Sequence, residues 1–167
     1  ELLSGVGTAA LEVLEEEGQL KDADVVIVPV GGGSGVCGWI LARDELSSPT
    51  KIWATQSAQS SAAYESWMSG KLVTSPNLTT SEGLSTGDGY SLTQKIMGNG
   101  LDDFILVEDS EINDAVGIML ETQHVLLEPA GAAALAAAIK AKENIKSKRV
   151  VLVCSGSNIS RAQLKNI

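Results

Sequence analysis

The residues of this sequence with the clearest chemical potential are mostly backbone. Gly31-Gly32-Gly33-Ser34-Gly35 follows the β-branched run Val25-Val-Ile-Val-Pro-Val30 and precedes a segment of helical pattern. Consecutive glycines let a chain turn tightly, gather several backbone N–H groups toward one point, and add the positive end of a helix dipole. That combination cradles a phosphate; the alternative is a tight strand-to-helix turn with no ligand. A second loop, Ser155-Gly156-Ser157-Asn158, leaves the apolar run Val150-Val-Leu-Val153 with hydroxyls and an amide but no formal charge. It either hydrogen-bonds a heteroaromatic ring nitrogen or forms a turn ahead of a helix cap at Ser160.

Other constellations are thinner. Gly33-Ser-Gly35-Val-Cys-Gly38 satisfies the Gly-x-Gly-x-x-Gly dinucleotide fingerprint, but that fingerprint needs an acid at the end of the next strand for the ribose hydroxyls, and Thr55-Gln56-Ser57 has none. No Gly-Lys-Ser/Thr follows the glycines, which excludes a P-loop. His124 is the only histidine, and it reads as a helix end or a surface residue. His/Cys clusters of metal-ligand spacing are absent, and Asp102-Asp103 reads as a solvated turn before a strand. Cys37 and Cys154 are far apart in sequence and read as buried reduced thiols.

The elements that must position these loops alternate. Residues 8–17 read as an amphipathic helix capped by Gly18, with Glu15, Glu16 and Glu17 at the end where the dipole disfavours them. Residues 24–30 read as a strand buried on both faces, 34–46 as a helix, 51–55 as a strand and 58–68 as a helix. The Ser/Thr/Gly/Asn-rich stretch 71–89 is long for a featureless connection and reads as a functional loop. A helix over 90–97 leads through Gly98-Asn-Gly100 to a strand around 104–107. Asp109 or Ser110 is then expected to cap a helix carrying Ile112, Ala115, Val116, Met119 and Leu120. The alanine-rich helix 129–141 is expected to pack close to another backbone, and residues 149–154 read as a final strand. The five basic residues Lys140, Lys142, Lys146, Lys148 and Arg149 read as solvated surface.

Strand–helix alternation of this kind predicts a three-layer α/β/α domain with a mostly parallel sheet, formed by residues 1–167 as one unit. The chain has 44% hydrophobic residues, 17 glycines, and only three Trp, two Tyr and one Phe, which implies an aliphatic core with backbone contacts at several points. A net charge of −9 argues against nucleic acid or anionic lipid as a partner. With no signal-like or membrane-length apolar segment, the expected location is the cytoplasm.

Five short segments in register resemble the fold-type II pyridoxal phosphate enzymes, particularly the serine/threonine dehydratases and serine racemase-like proteins. Ser4-Gly-Val-Gly-Thr8 resembles the family's Gly-Gln-Gly-Thr stretch, and residues 28–35 its tetraglycine phosphate loop. Glu82-Gly83-Leu84 resembles an Ala-Asp-Gly segment, residues 127–133 a Glu-x-Ala-Gly-Ala helix start, and Cys154-Ser-Gly-Ser-Asn158 a Ser-Gly-Gly-Asn loop.

The resemblance implies the large-domain portion of a tryptophan synthase β-like fold. It also implies pyridoxal 5'-phosphate held by the backbone of Gly31, Gly32, Gly33, Ser34 and Gly35, with Ser34 in place of a fourth glycine. Ser155 would face the pyridine nitrogen, and Glu128 would either lie near the ring or simply cap its helix. The implied reaction is β-elimination from a hydroxy amino acid to a 2-oxo acid and ammonia. None of the nine lysines (21, 51, 71, 95, 140, 142, 146, 148, 165) lies in the family's Ser-x-Lys-x-Arg motif, so no Schiff-base lysine is assigned. The expected molecule is thus a C-terminal part, inactive alone, that forms a homo-oligomer or is complemented by an N-terminal half. Some relatives carry a cation near the Ala-Asp-Gly segment; Leu78 and Ser81-Glu82 depart from that pattern, and no metal is expected. The alternative is a noncatalytic, Rossmann-like nucleotide- or phosphate-binding module using Gly33 to Gly38.

Overall fold

In the computed structural model, which describes residues 2–15 and 20–167, strands β1 (Val25–Pro29), β2 (Lys51–Ser57), β3 (Asp103–Val107) and β4 (Val150–Leu152) form one parallel sheet. Their order is β3-β2-β1-β4, with Ile27 opposite both Trp53 and Leu152. Successive strand residues face opposite sides, and in β1 both sides are apolar. Val25 and Ile27 enter a core shared with α6 (Asp109–Gln123) and α7 (Pro129–Lys140). Val26 and Val28 enter a second core with α1 (Leu2–Val6), α2 (Thr8–Leu14), α3 (Ser34–Glu45), α4 (Ala62–Ser69) and α5 (Ser91–Gly100). This is the three-layer α/β/α arrangement that the alternating pattern predicts.

The strand order fixes where loops can meet. The chain winds from β1 outward to β3 and then returns to the other side of β1 as β4. The reversal falls between β1 and β4, the position at which parallel α/β sheets open a crevice beyond their carboxyl ends. Gly31-Gly32-Gly33 leaves β1 there, and Ser155-Gly156 follows β4, whose pairing is continued by the Val153 N–H donating to Ile27 O at 3.0 Å.

Several boundaries differ from the sequence pattern for identifiable reasons. Helix α4 begins at Ala62 rather than residue 58, because β2 runs on to Ser57 and the Ala58 N–H donates to Val107 O at 2.8 Å. Helix α5 continues through Gly98-Asn-Gly100. There the Arg43 guanidinium reaches Gly100 O at 2.9 Å and Asp102 at 3.2 Å, supplying a tertiary cap. Asp102 is therefore engaged: its carboxylate also accepts the Ile52 N–H at 2.9 Å. Glu108, not Asp109 or Ser110, caps α6, in a reciprocal box with Glu111. His124 ends that helix, exposed and at φ 56°. The last strand is short, Val150–Leu152. A further helix, α1, precedes the first expected one, and Gly18, Glu16 and Glu17 lie outside the described residues. Among the described residues no helix is long and apolar enough to cross a membrane.

The paired expectation for the thiols requires correction. Cys37 is fully buried in α3, and burial pushes its thiol up to about 11, whereas Cys154 is exposed at the end of β4. Alkylation needs an accessible thiolate. Treatment of the native chain with a maleimide near neutral pH is expected to label Cys154 alone. Cys37 should react only after denaturation, as read by mass spectrometry.

Candidate functional site

The glycine loop owes its shape to glycine at two positions. Gly33 holds φ 91°, a left-handed conformation, and serves as the N-cap of α3 without a side-chain bond. Gly31 lies so close to Gly83 that an added Cβ would stand 2.5 Å from its carbonyl oxygen. No N–H from Gly31 through Val36 donates to any other group of the described residues, whereas the Cys37 N–H closes the first helical turn on Gly33 O at 3.1 Å. Six consecutive donors at the positive end of a 12-residue helix thus remain free. The open side of the loop adjoins a cavity of about 680 Å³ lined by Gly32, Ser34, Tyr90, Leu92, Leu2 and Leu41 among others.

The second loop is built by α7. Gly131, in the first turn of that helix, packs on the backbone of Ser155 and Gly156, leaving no room for a Cβ. Gly156 holds φ 78°, and its carbonyl accepts the Glu128 N–H at 3.2 Å. The half-buried Glu128 carboxylate does not cap its own helix. It accepts the Asn158 N–H at 3.1 Å and lies against Gly156, which makes it the brace of the Ser155–Asn158 loop. Ser155 itself is exposed. At the far end, Ser160 and Gln163 bond reciprocally, side chain to backbone N–H, at 2.8 and 3.2 Å.

A single turn joins the two loops. The 3-10 turn Glu82–Leu84 places the Gly83 carbonyl on Gly31, while the Gly83 Cα faces the Ala130 methyl and the Glu128 carboxylate. Leu84 anchors the turn in the core. The Thr86 hydroxyl donates to Gly31 O at 3.3 Å, and the Thr86 N–H donates to Ser60 Oγ at 3.2 Å. Upstream, Asp109 collects the Ser57 and Thr79 hydroxyls at 2.6 and 2.7 Å and the Thr80 N–H and hydroxyl at 2.7 and 3.0 Å. Burial alone would raise the Asp109 carboxyl, but these four donors outweigh it and hold the group below the usual carboxylate range.

The dinucleotide fingerprint has a different explanation. Gly38, its last glycine, is where α3 meets the α1–α2 junction: a Cβ there would stand 2.9 Å from the Gly7 backbone nitrogen. The end of β2 presents Thr55, Gln56 and Ser57, all buried and none acidic.

A family model described as pyridoxal-phosphate dependent enzyme matches residues 2–156. The chain belongs to that family. It is 33% identical over 162 residues to serine racemase of Oryza sativa subsp. indica, covering 94% of this chain and 47% of that protein. It is 30% identical over 171 residues to the catabolic L-threonine dehydratase of Escherichia coli strain K12, covering 99% and 50%. Among solved structures it resembles the processed form of threonine deaminase isoform 2 from Solanum lycopersicum, with TM-score 0.89 and 27% identity, over 98% of this chain and 48% of that one. Maize serine racemase is similar at TM-score 0.87 and 30% identity, over 98% and 52%. The chain spans about half the length of these relatives, and the half it matches is their C-terminal one.

Of the residues singled out from sequence, Gly31 to Gly35 form one loop, and Glu128 and Ser155 belong to its neighbour across the strand reversal. Gly83, Gly131, Gly156 and Asp109, which sequence reading placed only in motif segments or as a helix cap, are the supports of these loops. A glycine in the first turn of an alanine-rich helix was the available signal for Gly131.

Two outcomes follow from these supports. Gly131→Ala is expected to cost about 1–3 kcal/mol of stability, read from denaturant midpoints, because the added methyl meets backbone that cannot swing away. The second concerns pH. A carboxyl depressed in the folded state stabilises above its ordinary pKa, about 3.9, and that contribution is lost as pH falls through the folded value. Acidification through the folded value, which lies below that ordinary pKa, is therefore expected to release Thr79 and Thr80, seen as amide shift changes that an Asp109→Asn variant lacks.

Proposed function

We propose that the chain is the C-terminal, cofactor-holding part of a serine/threonine dehydratase-like ammonia-lyase, acting on a small hydroxy amino acid. The observation that carries this reading is the row of free N–H groups from Gly31 to Val36 at the α3 N-terminus, beside a second, uncharged loop at the strand reversal. These residues fit the phosphate of pyridoxal phosphate: six consecutive donors have no acceptor among the described residues, the dipole favours a dianion, and Gly32 and Gly35 offer no side chain to block approach. Bound there, the cofactor supplies an electron sink for removal of the substrate α-proton.

On this reading the chain's own residues take the following roles. Gly31, Gly32, Gly33, Ser34 and Gly35 bind the phosphate through backbone N–H groups, and the Ser34 hydroxyl adds a further donor. Ser155 turns its hydroxyl to the pyridine nitrogen. A hydroxyl does not keep that nitrogen protonated as an aspartate would, which favours elimination over transamination. Glu128 orients Ser155 by bracing Gly156 and Asn158. An N-terminal portion, equivalent to the uncovered half of the relatives, supplies the Schiff-base lysine and covers the apolar cavity at Leu2, Leu41 and Leu92. The exposure of these three, 71, 45 and 62%, supports such a covering surface.

Calorimetry of the purified chain tests the reading. Pyridoxal phosphate and inorganic phosphate are expected to compete for one site, and NAD is not expected to bind; tight NAD binding would return the nucleotide-module alternative. Gly35→Ala separates ligand from fold. A Cβ at Gly35 meets nothing within 4 Å and its φ is not positive, so the variant should be as stable as the parent, or up to about 1 kcal/mol more stable. If residues 31–36 cradle a phosphate, its phosphate affinity should nevertheless fall roughly tenfold, because the added methyl stands among the donors at the α3 N-terminus.

A further inference from the structure

Asp109 touches neither loop of the candidate site, yet one carboxylate binds together three elements that meet beneath it. Its Oδ1 takes the Ser57 hydroxyl at the end of β2 and the Thr79 hydroxyl in the long connection. Its Oδ2 takes both donors of Thr80, and its own N–H, in the first turn of α6, is held by Gln59 Oε1 at 3.0 Å. No Lys, Arg or His pairs with it among the described residues. The charge is balanced by hydrogen bonds and by the α6 N-terminus, so the carboxylate is held by the segment it holds.

That segment leads directly to the cradle. Ser81, which follows Thr80, is buried, and the turn Glu82–Leu84 then lays the Gly83 carbonyl on Gly31. Two residues beyond the turn, the Thr86 hydroxyl donates to Gly31 O. Leu84 and the Ser60–Thr86 bond fix the far side of this stretch; on its near side Ser60 bonds Asn77, the Leu78 N–H donates to Gln59 O, and Asp109 adds the carboxylate that takes Thr79 and Thr80. We propose that Asp109 is a positioning residue for the phosphate cradle, setting the placement of Gly31 through residues 79–86. This rests on the reading that residues 31–36 bind phosphate. Without the carboxylate, three hydroxyls and an N–H lose this acceptor, the stretch relaxes toward water, and the N–H groups that follow Gly31 are displaced.

The test uses the whole chain, inorganic phosphate as the probe, and NMR of the amides from Gly31 to Val36. Asp109→Ala is expected to weaken phosphate binding roughly tenfold and to shift the ligand-free resonances of Gly31 to Ser34, with Asp109→Asn intermediate. Val116→Ala, in the α6 core, controls for stability: it should lower the melting temperature at least as much while leaving phosphate affinity within about twofold. Thr86→Val should weaken binding, and its combination with Asp109→Ala should be no weaker than Asp109→Ala alone, since both act through one contact. If the unmodified chain binds phosphate and Asp109→Ala binds it equally well with unshifted resonances, the positioning role is overturned and the phosphate reading stands. Full additivity of the two substitutions overturns it as well. If the unmodified chain binds no phosphate, the reading of the cradle falls, and the positioning role with it.

Discussion

The structure depends on three close approaches of backbone that only glycine allows. Gly31 admits the Gly83 carbonyl, Gly83 admits the Ala130 methyl, and Gly131 admits the carbonyls of Ser155 and Gly156. Linked end to end, they connect the loop leaving β1 to the loop leaving β4 through a turn belonging to neither. A methyl at any of the three meets atoms that would have to move, and at Gly31 and Gly131 those atoms are backbone. Packed interiors accommodate such intrusions by shifting elements rather than by compressing. The spacing of the two loops is therefore a property of the fold, set before any ligand arrives.

The arrangement also explains why the alanine-rich helix is so small in side chain. Ala130, Ala132, Ala133, Ala134, Ala136 and Ala137 are all buried, and α7 presses on β1 and on the Ser155 loop. Larger residues would hold the helix off the sheet and draw Gly131 away from Ser155. Glu128 then completes the brace from the residue just before the helix, where its carboxylate is spent on Asn158 and not on its own helix end.

The layered fold, the parallel sheet and the glycine loop were legible because each rests on local pattern: β-branched runs, amphipathic periodicity, and glycines after a strand. What was not legible rests on partners distant in sequence. The extension of α5 to Gly100 needs Arg43, 57 residues away. The extension of β2 to Ser57 needs β3, and the choice of Glu108 over Asp109 as the α6 cap leaves Asp109 free for Thr79 and Thr80, about thirty residues upstream. Cys154 is exposed because β4 stops at Leu152, a short strand that a run of apolar residues does not announce.

The glycines of the loop from Gly31 to Gly35 divide by what demands them. Gly31 is required by Gly83, and Gly33 by its left-handed φ together with the nearby Thr93 side chain. Gly32 meets only the Tyr90 ring at ordinary contact distance, and Gly35 meets nothing. In a helix, glycine costs up to about 1 kcal/mol relative to alanine, so Gly35 in the first turn of α3 is a sacrifice of stability that the protein's own contacts leave unexplained. The fold's demands thus fall on Gly31 and Gly33, and they leave Gly32 and Gly35 unconstrained by close contact.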